Sequence, residues 1–389
     1  MAYQAAAEAI AQLGVADEVA TLKLCAANPL PRGKVEAMLK SLETVLVVEE
    51  IEPVIETFVR DLSADLDRHA RILGKKTGHL PATDELSAEH VAEPLAQLTG
   101  RTFAPLLAPE RSRQAMTFVA EQITKRPQGA LCPGCPEMGT MYALTRALRR
   151  VCKEDFVSHG DIGCYERAIY PPWDAMHTII CMGAGPGLAH GMYRVKLGDK
   201  QVVQMGDGTF FHAALPELIN AVYNGSSFTV VLYDNQCIGA TGQQPHPGAF
   251  GLTAKRDTTG ILSIEKIAAA IGIEPIEVVD PFDLKATRKA LERALAAEGV
   301  SMVITRRACS ILAERALGGR GKVNFSTYEI DPQLCTYMRN GKCRECFDTL
   351  GCLAIMRDDH LLSIDPTFCN GCGLCEQVCG PHAIHPADA

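Results

Sequence analysis

The chain of 389 residues is 47% hydrophobic and 22% charged, with a formal charge of −8, which is material for two or three ordinary cores and not the composition of a disordered chain. No apolar run reaches the ~18 residues of a bilayer-spanning helix, the start "MAYQAAAEAIAQLGV" lacks the marks of a signal peptide, and the acidic balance excludes the basic face that nucleic acid needs. A soluble, cytoplasmic, multidomain protein is expected, in which sixteen cysteines are not expected to be disulfides.

Residues 1–105 alternate two periodicities. "AYQAAAEAIAQLG" and "KVEAMLKSL" read as amphipathic helices, "EVATLKLC" and "TVLVVEE" as strands. A small α/β domain is expected. The polar stretch "LGKKTGHLPATDELSAEH" (73–90) leads to a linker near residues 103–113.

Residues 106–320 form the next expected domain. "TIICMGAGPGLAHGM" (178–192) is glycine-rich after a strand, but it lacks a nicotinamide fingerprint, because Leu188 stands where the third glycine belongs. It reads as a strand-to-helix loop. "KQVVQMGDGTFFHAALPELINAVYNGSSFTVVLYDNQ" gives a buried strand (202–205), a Gly-Asp-Gly turn, a helix (about 213–223) and a second strand (228–233) ending in Asp234 and Asn235. This is a βαβ unit of a parallel sheet, and ligands bind at the carboxyl edge of such sheets. Gly206, Asp207 and Gly208 then lie beside Asn235. One carboxylate, one amide oxygen and a backbone carbonyl are what Mg2+ takes from a protein when a diphosphate supplies more oxygens, so Asp207 and Asn235 are the expected metal ligands.

"RALGGRGKVNFST" (315–327) joins this region to residues 326–389. There "YEIDPQLC" (328–335) recurs as "LSIDPTFC" (362–369), the sign of a duplicated unit. The second copy spaces Cys369, Cys372, Cys375 and Cys379 as C-x2-C-x2-C-x3-C; the first supplies Cys335, Cys343, Cys346 and Cys352, with an insertion. Two-residue spacings let one loop wrap three corners of an iron–sulfur cube, whereas structural zinc takes paired C-x2-C knuckles. The region resembles a bacterial two-cluster ferredoxin, in which the fourth cysteine of each run ligates the other cluster. That resemblance implies one [4Fe-4S] cluster on Cys335, Cys343, Cys346 and Cys379, and a second on Cys369, Cys372, Cys375 and Cys352.

The Gly-Asp-Gly unit and its Asn resemble the thiamine diphosphate motif, which implies the Cys237 carbonyl as third Mg2+ ligand. "LCPGCPEMGTMYAL" (131–144), "HGDIGCYERAIYPP" (159–172), "DNQCIGATGQQPHPG" (234–248) and "ANPLPRGKVEAMLKSLETVLVVEEIEPVIE" (27–56) resemble the large subunit of indolepyruvate ferredoxin oxidoreductase, a thiamine-dependent 2-oxoacid:ferredoxin oxidoreductase. The resemblance implies an α/β fold: a parallel-sheet thiamine diphosphate-binding domain, an N-terminal domain like the C-terminal domain of transketolases, and the ferredoxin domain. It implies that Cys132, Gly134, Cys135, Asp161, Gly163, Cys164, Gly206, Asp207, Gly208, Thr209, Asn235, Cys237, Thr241 and Gly242 bind the cofactor, with Cys164 catalytic. His212 and His246 are open between substrate contact and a structural role. Cys152 and Cys181 read as buried thiols.

The activity so implied is oxidative decarboxylation of an aryl 2-oxoacid such as indolepyruvate or phenylpyruvate to an acyl-coenzyme A, with electrons passing to ferredoxin. Phenylglyoxylate or a branched-chain acid, a non-oxidative decarboxylase, and an electron-transfer subunit with a vestigial thiamine site are the alternatives. The family's pyrimidine-binding domain, whose glutamate activates thiamine, precedes the "YQAAAEAIAQLG" segment and is expected on a separate subunit. Glu49 and Glu50 follow an apolar strand and are candidates to mimic that glutamate, but in the family the corresponding segment lies outside the pyrimidine domain. A γ-type small subunit and a duplicated hetero-oligomer complete the expectation.

Overall fold

In a computed structural model, residues 1–66, 70–104, 109–122, 131–153, 155–198, 200–251, 260–318 and 326–387 are described. Parts of both expected linkers, 105–108 and 319–325, lie outside them. The chain divides into two compact units, Met1–Thr124 and Lys125–Ala389.

The first unit is a small α/β layer. Helices α1 (Ala2–Leu13), α2 (Arg32–Ser41), α3 (Val54–Ala64), α4 (Ala88–Thr99) and α5 (Pro109–Gln122) accompany two parallel strands, β1 (Thr44–Leu46) and β2 (Arg71–Leu73). Gly14, at φ 64°, ends α1 with its amide on the last turn, and Ser87 caps α4 by accepting from the His90 amide. Val35, Leu39, Val45, Val59 and Ile72 form the core beside the strands. The strand expected at "EVATLKLC" does not form. Its alternation packs Leu22 and Leu24 on that core, but the segment joins no ladder, and β2 pairs with β1 instead. Glu49 is buried and accepts from the Ile55 and Glu56 amides at 2.7 and 2.8 Å; it closes the start of α3.

The second unit holds a six-stranded parallel sheet of β3 (Phe156–Gly160), β4 (Thr178–Ile179), β5 (Lys200–Gly206), β6 (Phe228–Asp234), β7 (Ile276–Val279) and β8 (Val300–Arg306), in the order β4-β3-β5-β6-β8-β7. The central strands β5 and β6 are buried on both faces along most of their length, as in a parallel sheet covered by helices, with Gln201, Gln204 and Thr229 buried among the apolar residues. Helix α6 (Pro136–Val151) and α7 (Ala184–Arg194) precede α8 (Asp207–Thr209), which runs through a π turn (Phe210–Ala214) into α9 (Leu215–Tyr223). Then come α10 (Ile264–Ala270), α11 (Leu284–Ala296) and α12 (Ser310–Ala316).

The helix after β5 therefore starts at Asp207, not near residue 213. Asp207 Oδ1 accepts the Gly208 amide at 2.7 Å, so what reads as a Gly-Asp-Gly turn is a strand end fused to a helix start. A π turn inside a helix is a feature that recurs at functional sites.

The cysteine-rich end adds β9 (Tyr328–Ile330), α13 (Thr336–Asn340), β10 (Ile355–Asp358), β11 (Leu361–Ile364), α14 (Leu374–Val378) and β12 (Ile384–Pro386). Antiparallel β9 pairs with β12, and β10 with β11. Leu350, Ile355, Leu362 and Leu374 share one core with Leu144 and Leu148 of α6 and Leu291 of α11, so this end is packed into the second unit.

Candidate functional site

Because all six strands are parallel, the residues just past their carboxyl ends collect on one edge. β3 delivers Asp161 to Cys164, β5 delivers Asp207, β6 delivers Asn235 to Cys237, and β8 delivers Cys309. The Cys309 amide donates to the Asn235 carbonyl at 2.9 Å, which ties the two loops together.

Asp207 is buried and its Oδ2 has no hydrogen-bond partner. His246 faces it, with Nε2 3.0 Å from Oδ2, although neither atom makes a hydrogen bond. The Gly248 amide donates to His246 Nδ1 at 3.1 Å, which leaves the ring proton on Nε2. An unpartnered, buried carboxylate oxygen at a helix start costs free energy unless a cation or donor completes it.

Asn235 is held from two sides. Its Nδ2 donates to Glu137 Oε1 at 2.8 Å, and its Oδ1 accepts the Cys237 amide at 3.1 Å. Glu137, on the first turn of α6, is buried with Oε2 unpartnered. Burial, then the charges of Asp207 and Cys309, push it up to about 8 against the Asn235 hydrogen bond. The motif reading missed Glu137, although it stands two positions after Cys135.

Asp161 is a clamp among loops. Its carboxylate accepts the Gly183 amide at 2.8 Å, the Tyr165 hydroxyl and the Thr209 hydroxyl at 3.5 Å. Burial holds it up at about 6 despite those bonds. Gly183, at φ 86°, lies where a Cβ would sit 2.7 Å from Ala213 Cβ, so the glycine loop is pressed on the π turn. Tyr165 in turn stacks on Tyr233 at 5.1 Å. Gly206 closes β5 and Gly208 faces Ile238. Thr241 and Gly242 sit on the exposed part of the loop after β6, where Thr241 Oγ1 donates to Gln244 at 2.7 Å. His212 is exposed.

Thiols crowd the same edge. A Cβ at Gly239 would lie 3.4 Å from both Cys164 Sγ and Asn235 Nδ2, and 3.9 Å from Cys237 Sγ. Cys132, Cys135 and Cys164 lie near enough to Cys309 or to one another for their thiols to be raised: burial pushes up the Cys164 thiol to about 12, with the charges of Glu137, Cys309 and Cys132 behind it. Cys132 is raised by burial first and by Cys309 second, and Cys135 by burial, then by Glu137, then by Cys164 and Cys132. Cys309 goes the other way, down to about 6, because the Cys237 thiol and the Leu312 and Ile311 amides at the start of α12 face it. Cys309 was not singled out from the sequence; its signal is its place just past β8, on the edge that carries Asp207 and Asn235.

At the cysteine-rich end, Cys335, Cys343, Cys346 and Cys379 line one apolar cavity with Ile330, Leu362 and Val378. The remaining four also form one group. After burial, Cys352 is raised to about 11 by Cys372 and Cys369, and Cys375 is raised by Cys352, Cys372 and Cys369. The structure thus brings the fourth cysteine of each run to the other run. Among the described residues no three Cys, His, Asp or Glu side chains converge on a single-ion position; four thiols around a cavity suit a cube of iron and sulfide better than one zinc ion. The hard oxygen donors at Asp207 and Asn235 suit Mg2+.

Residues 161–305 match the family model for the thiamine pyrophosphate enzyme C-terminal TPP binding domain, and residues 362–385 match that for the 4Fe-4S binding domain. The chain is 35% identical, over its whole length and 59% of the other, to the indolepyruvate oxidoreductase subunit IorA of Archaeoglobus fulgidus. It is 36% identical, over 97% of this chain and 58% of the other, to IorA of Pyrococcus horikoshii. It spans about three-fifths of the length of these curated relatives. A 2-oxoglutarate:ferredoxin oxidoreductase structure from Magnetococcus marinus is similar at TM-score 0.43 and 19% identity, covering 49% of this chain and 67% of that one, a likeness too loose to carry an argument.

Proposed function

We propose, for a chain that belongs to the family of indolepyruvate oxidoreductase IorA subunits, that it forms the diphosphate side of a thiamine-dependent 2-oxoacid:ferredoxin oxidoreductase together with that enzyme's electron path. Within it, residues 1–105, 106–320 and 326–389 act as the small α/β, thiamine and ferredoxin domains. The substrate class is an aryl 2-oxoacid such as indolepyruvate or phenylpyruvate, with coenzyme A as acyl acceptor; phenylglyoxylate and branched-chain acids are the alternatives.

Thiamine diphosphate, when bound, supplies the electron sink for loss of carbon dioxide from the 2-oxoacid. The chain's part is placement. Asp207, the Asn235 amide oxygen and the Cys237 carbonyl hold Mg2+, and Gly206, Gly208, Thr209, Thr241 and Gly242 line the diphosphate. Glu137 fixes which way the Asn235 amide faces, because its Oε1 accepts from Nδ2 and so turns Oδ1 to the opposite side, where it accepts from the Cys237 amide and has a further lone pair for the metal. Asp161 holds the glycine loop against the π turn through the Gly183 amide, and Gly163 lies against Tyr165 on the cofactor side. Cys164, expected as a catalytic residue, is assigned with Cys132, Cys135 and Cys309 to a third cluster site beside the cofactor, and the eight terminal cysteines to the other two. The Cys237 thiol donates to Asn235 Oδ1 at 3.4 Å.

The observation that carries this reading is the meeting of Asp207, Asn235 and the four thiols on one sheet edge. A vestigial thiamine site is disfavoured by Asp207, a buried carboxylate whose Oδ2 faces His246 Nε2 at 3.0 Å without a hydrogen bond. The aminopyrimidine side of the cofactor comes from protein outside these 389 residues, a γ-type subunit joins, ferredoxin is the acceptor, and the assembly is duplicated. No helix among the described residues is long and apolar enough to cross a membrane.

The test is composition: protein purified without oxygen should hold thiamine diphosphate in proportion to intact Asp207, and about twelve iron atoms per chain, four per cluster. Stoichiometric zinc without iron would overturn the reading.

A further inference from the structure

The loop after β6 brings back one side chain that neither the fold nor the cofactor motif accounts for. Its segment reads Pro245-His246-Pro247-Gly248 and is stiff by construction. Prolines flank the histidine on both sides, the Ala249 amide donates to the His246 carbonyl at 3.0 Å, and the Leu262 amide donates to the Pro247 carbonyl at 2.9 Å. The His246 side chain that this loop presents is fully buried.

The ring is fixed by its surroundings. The Gly248 amide on Nδ1 sets the tautomer. Phe211, one turn after Asp207 and inside the π turn, stacks on the imidazole with 5.6 Å between centroids. Gly248 leaves room for that stack, because a Cβ there would overlap the Phe211 ring. What remains is the Nε2 proton, which has no hydrogen-bond partner and faces Asp207 Oδ2 at 3.0 Å.

A buried N–H without an acceptor costs free energy, so a histidine kept for packing alone would do better as an apolar residue. The Asp207 carboxylate gives the proton a purpose. Its Oδ1 already accepts the Gly208 amide at 2.7 Å, and Oδ2 lies before Nε2. The last torsion of an aspartate is soft, so a small rotation closes the second contact into a charge-assisted hydrogen bond. The carboxylate is then gripped at both oxygens, and each keeps a lone pair.

We propose that His246 is the positioning residue of Asp207: a neutral imidazole, seated by Phe211, that donates to Oδ2 and sets the plane in which the carboxylate meets a divalent cation. The π turn supplies the aromatic wall, so the chain that leaves Asp207 returns to hold the ring that orients it. This rests on the reading of Asp207 as a Mg2+ ligand.

The experiment uses the anaerobically purified complex, stripped of metal and cofactor and titrated with Mn2+ in the presence of thiamine diphosphate. Free Mn2+ is counted by its electron paramagnetic resonance signal, and unfolding temperature and iron content serve as controls. His246→Leu keeps the buried volume and loses the donor; it should weaken Mn2+ binding about 10- to 100-fold, the range for loss of a partner behind a metal ligand. His246→Gln, which restores an N–H donor, should recover most of that loss. Phe211→Leu leaves both polar partners in place and should weaken binding about 2- to 10-fold, the scale of one aromatic stack. Wild-type affinity in His246→Leu, or a Gln variant no better than the Leu variant, would overturn the positioning role while leaving the metal site intact. Should His246→Leu fail to fold, Phe211→Leu decides, and wild-type affinity there overturns the proposal. If the wild-type complex takes up no Mn2+ with thiamine diphosphate, the reading of Asp207 as a metal ligand falls, and the proposal with it.

Discussion

Replacing Glu137 by Gln gives a pH-dependent stability change whose sign and size follow from burial. The carboxyl is pushed to about 8 from an ordinary 4.5. Between those values the folded protein holds a proton that the unfolded chain has released, so stability falls as pH rises through the window and the loss is complete above about pH 8. A rise of that size is worth on the order of 5 kcal/mol. Glutamine keeps the acceptor for Asn235 Nδ2 and carries no charge. The variant should match wild type near pH 4, exceed it by about 3 kcal/mol at pH 7, and by about 5 kcal/mol at pH 9. The assay is urea unfolding of protein stripped of cofactor and metal, read by the fluorescence of Trp173, the single tryptophan, which is buried in the same unit. Parallel stability–pH curves for the two proteins would refute the argument.

Asp207→Ala should abolish thiamine diphosphate binding, measured by calorimetry, with iron content unchanged. Cys309→Ser should lower iron by about four atoms per chain, one cubane's worth, in an elemental assay. Asp161→Ala leaves the Gly183 amide and two hydroxyls without their acceptor and should destabilise the second unit by about 2–4 kcal/mol in denaturant unfolding.

Much of the site is legible where local pattern and chemistry coincide. Apolar runs on either side of Gly206-Asp207-Gly208 mark β5 and β6, and the spacing of Cys369 to Cys379 marks a ligand loop without help from the fold. The helix start was harder, because Gly208 and the polar flank look like a turn until the Asp207 carboxylate is seen accepting the next amide. Cys309 was invisible for a different reason: a lone cysteine far along the chain from Cys164 acquires meaning only when parallel β8 brings it to the shared edge. Glu137 likewise gains its role from Asn235, which arrives from another strand. At "EVATLKLC" the alternation was real, yet period two specifies a half-buried extended segment and not its ladder partner.

The most direct measurement is substrate-driven reduction of the iron–sulfur absorbance in the anaerobic holo-complex, wild type beside Asp207→Ala, with indolepyruvate as reductant, coenzyme A as acyl acceptor and dithionite as the control reductant. Wild type should bleach with both; Asp207→Ala should bleach with dithionite alone. Equal substrate-driven bleaching in the two proteins would contradict the claim that electrons reach the thiol-bound clusters from a thiamine site anchored at Asp207.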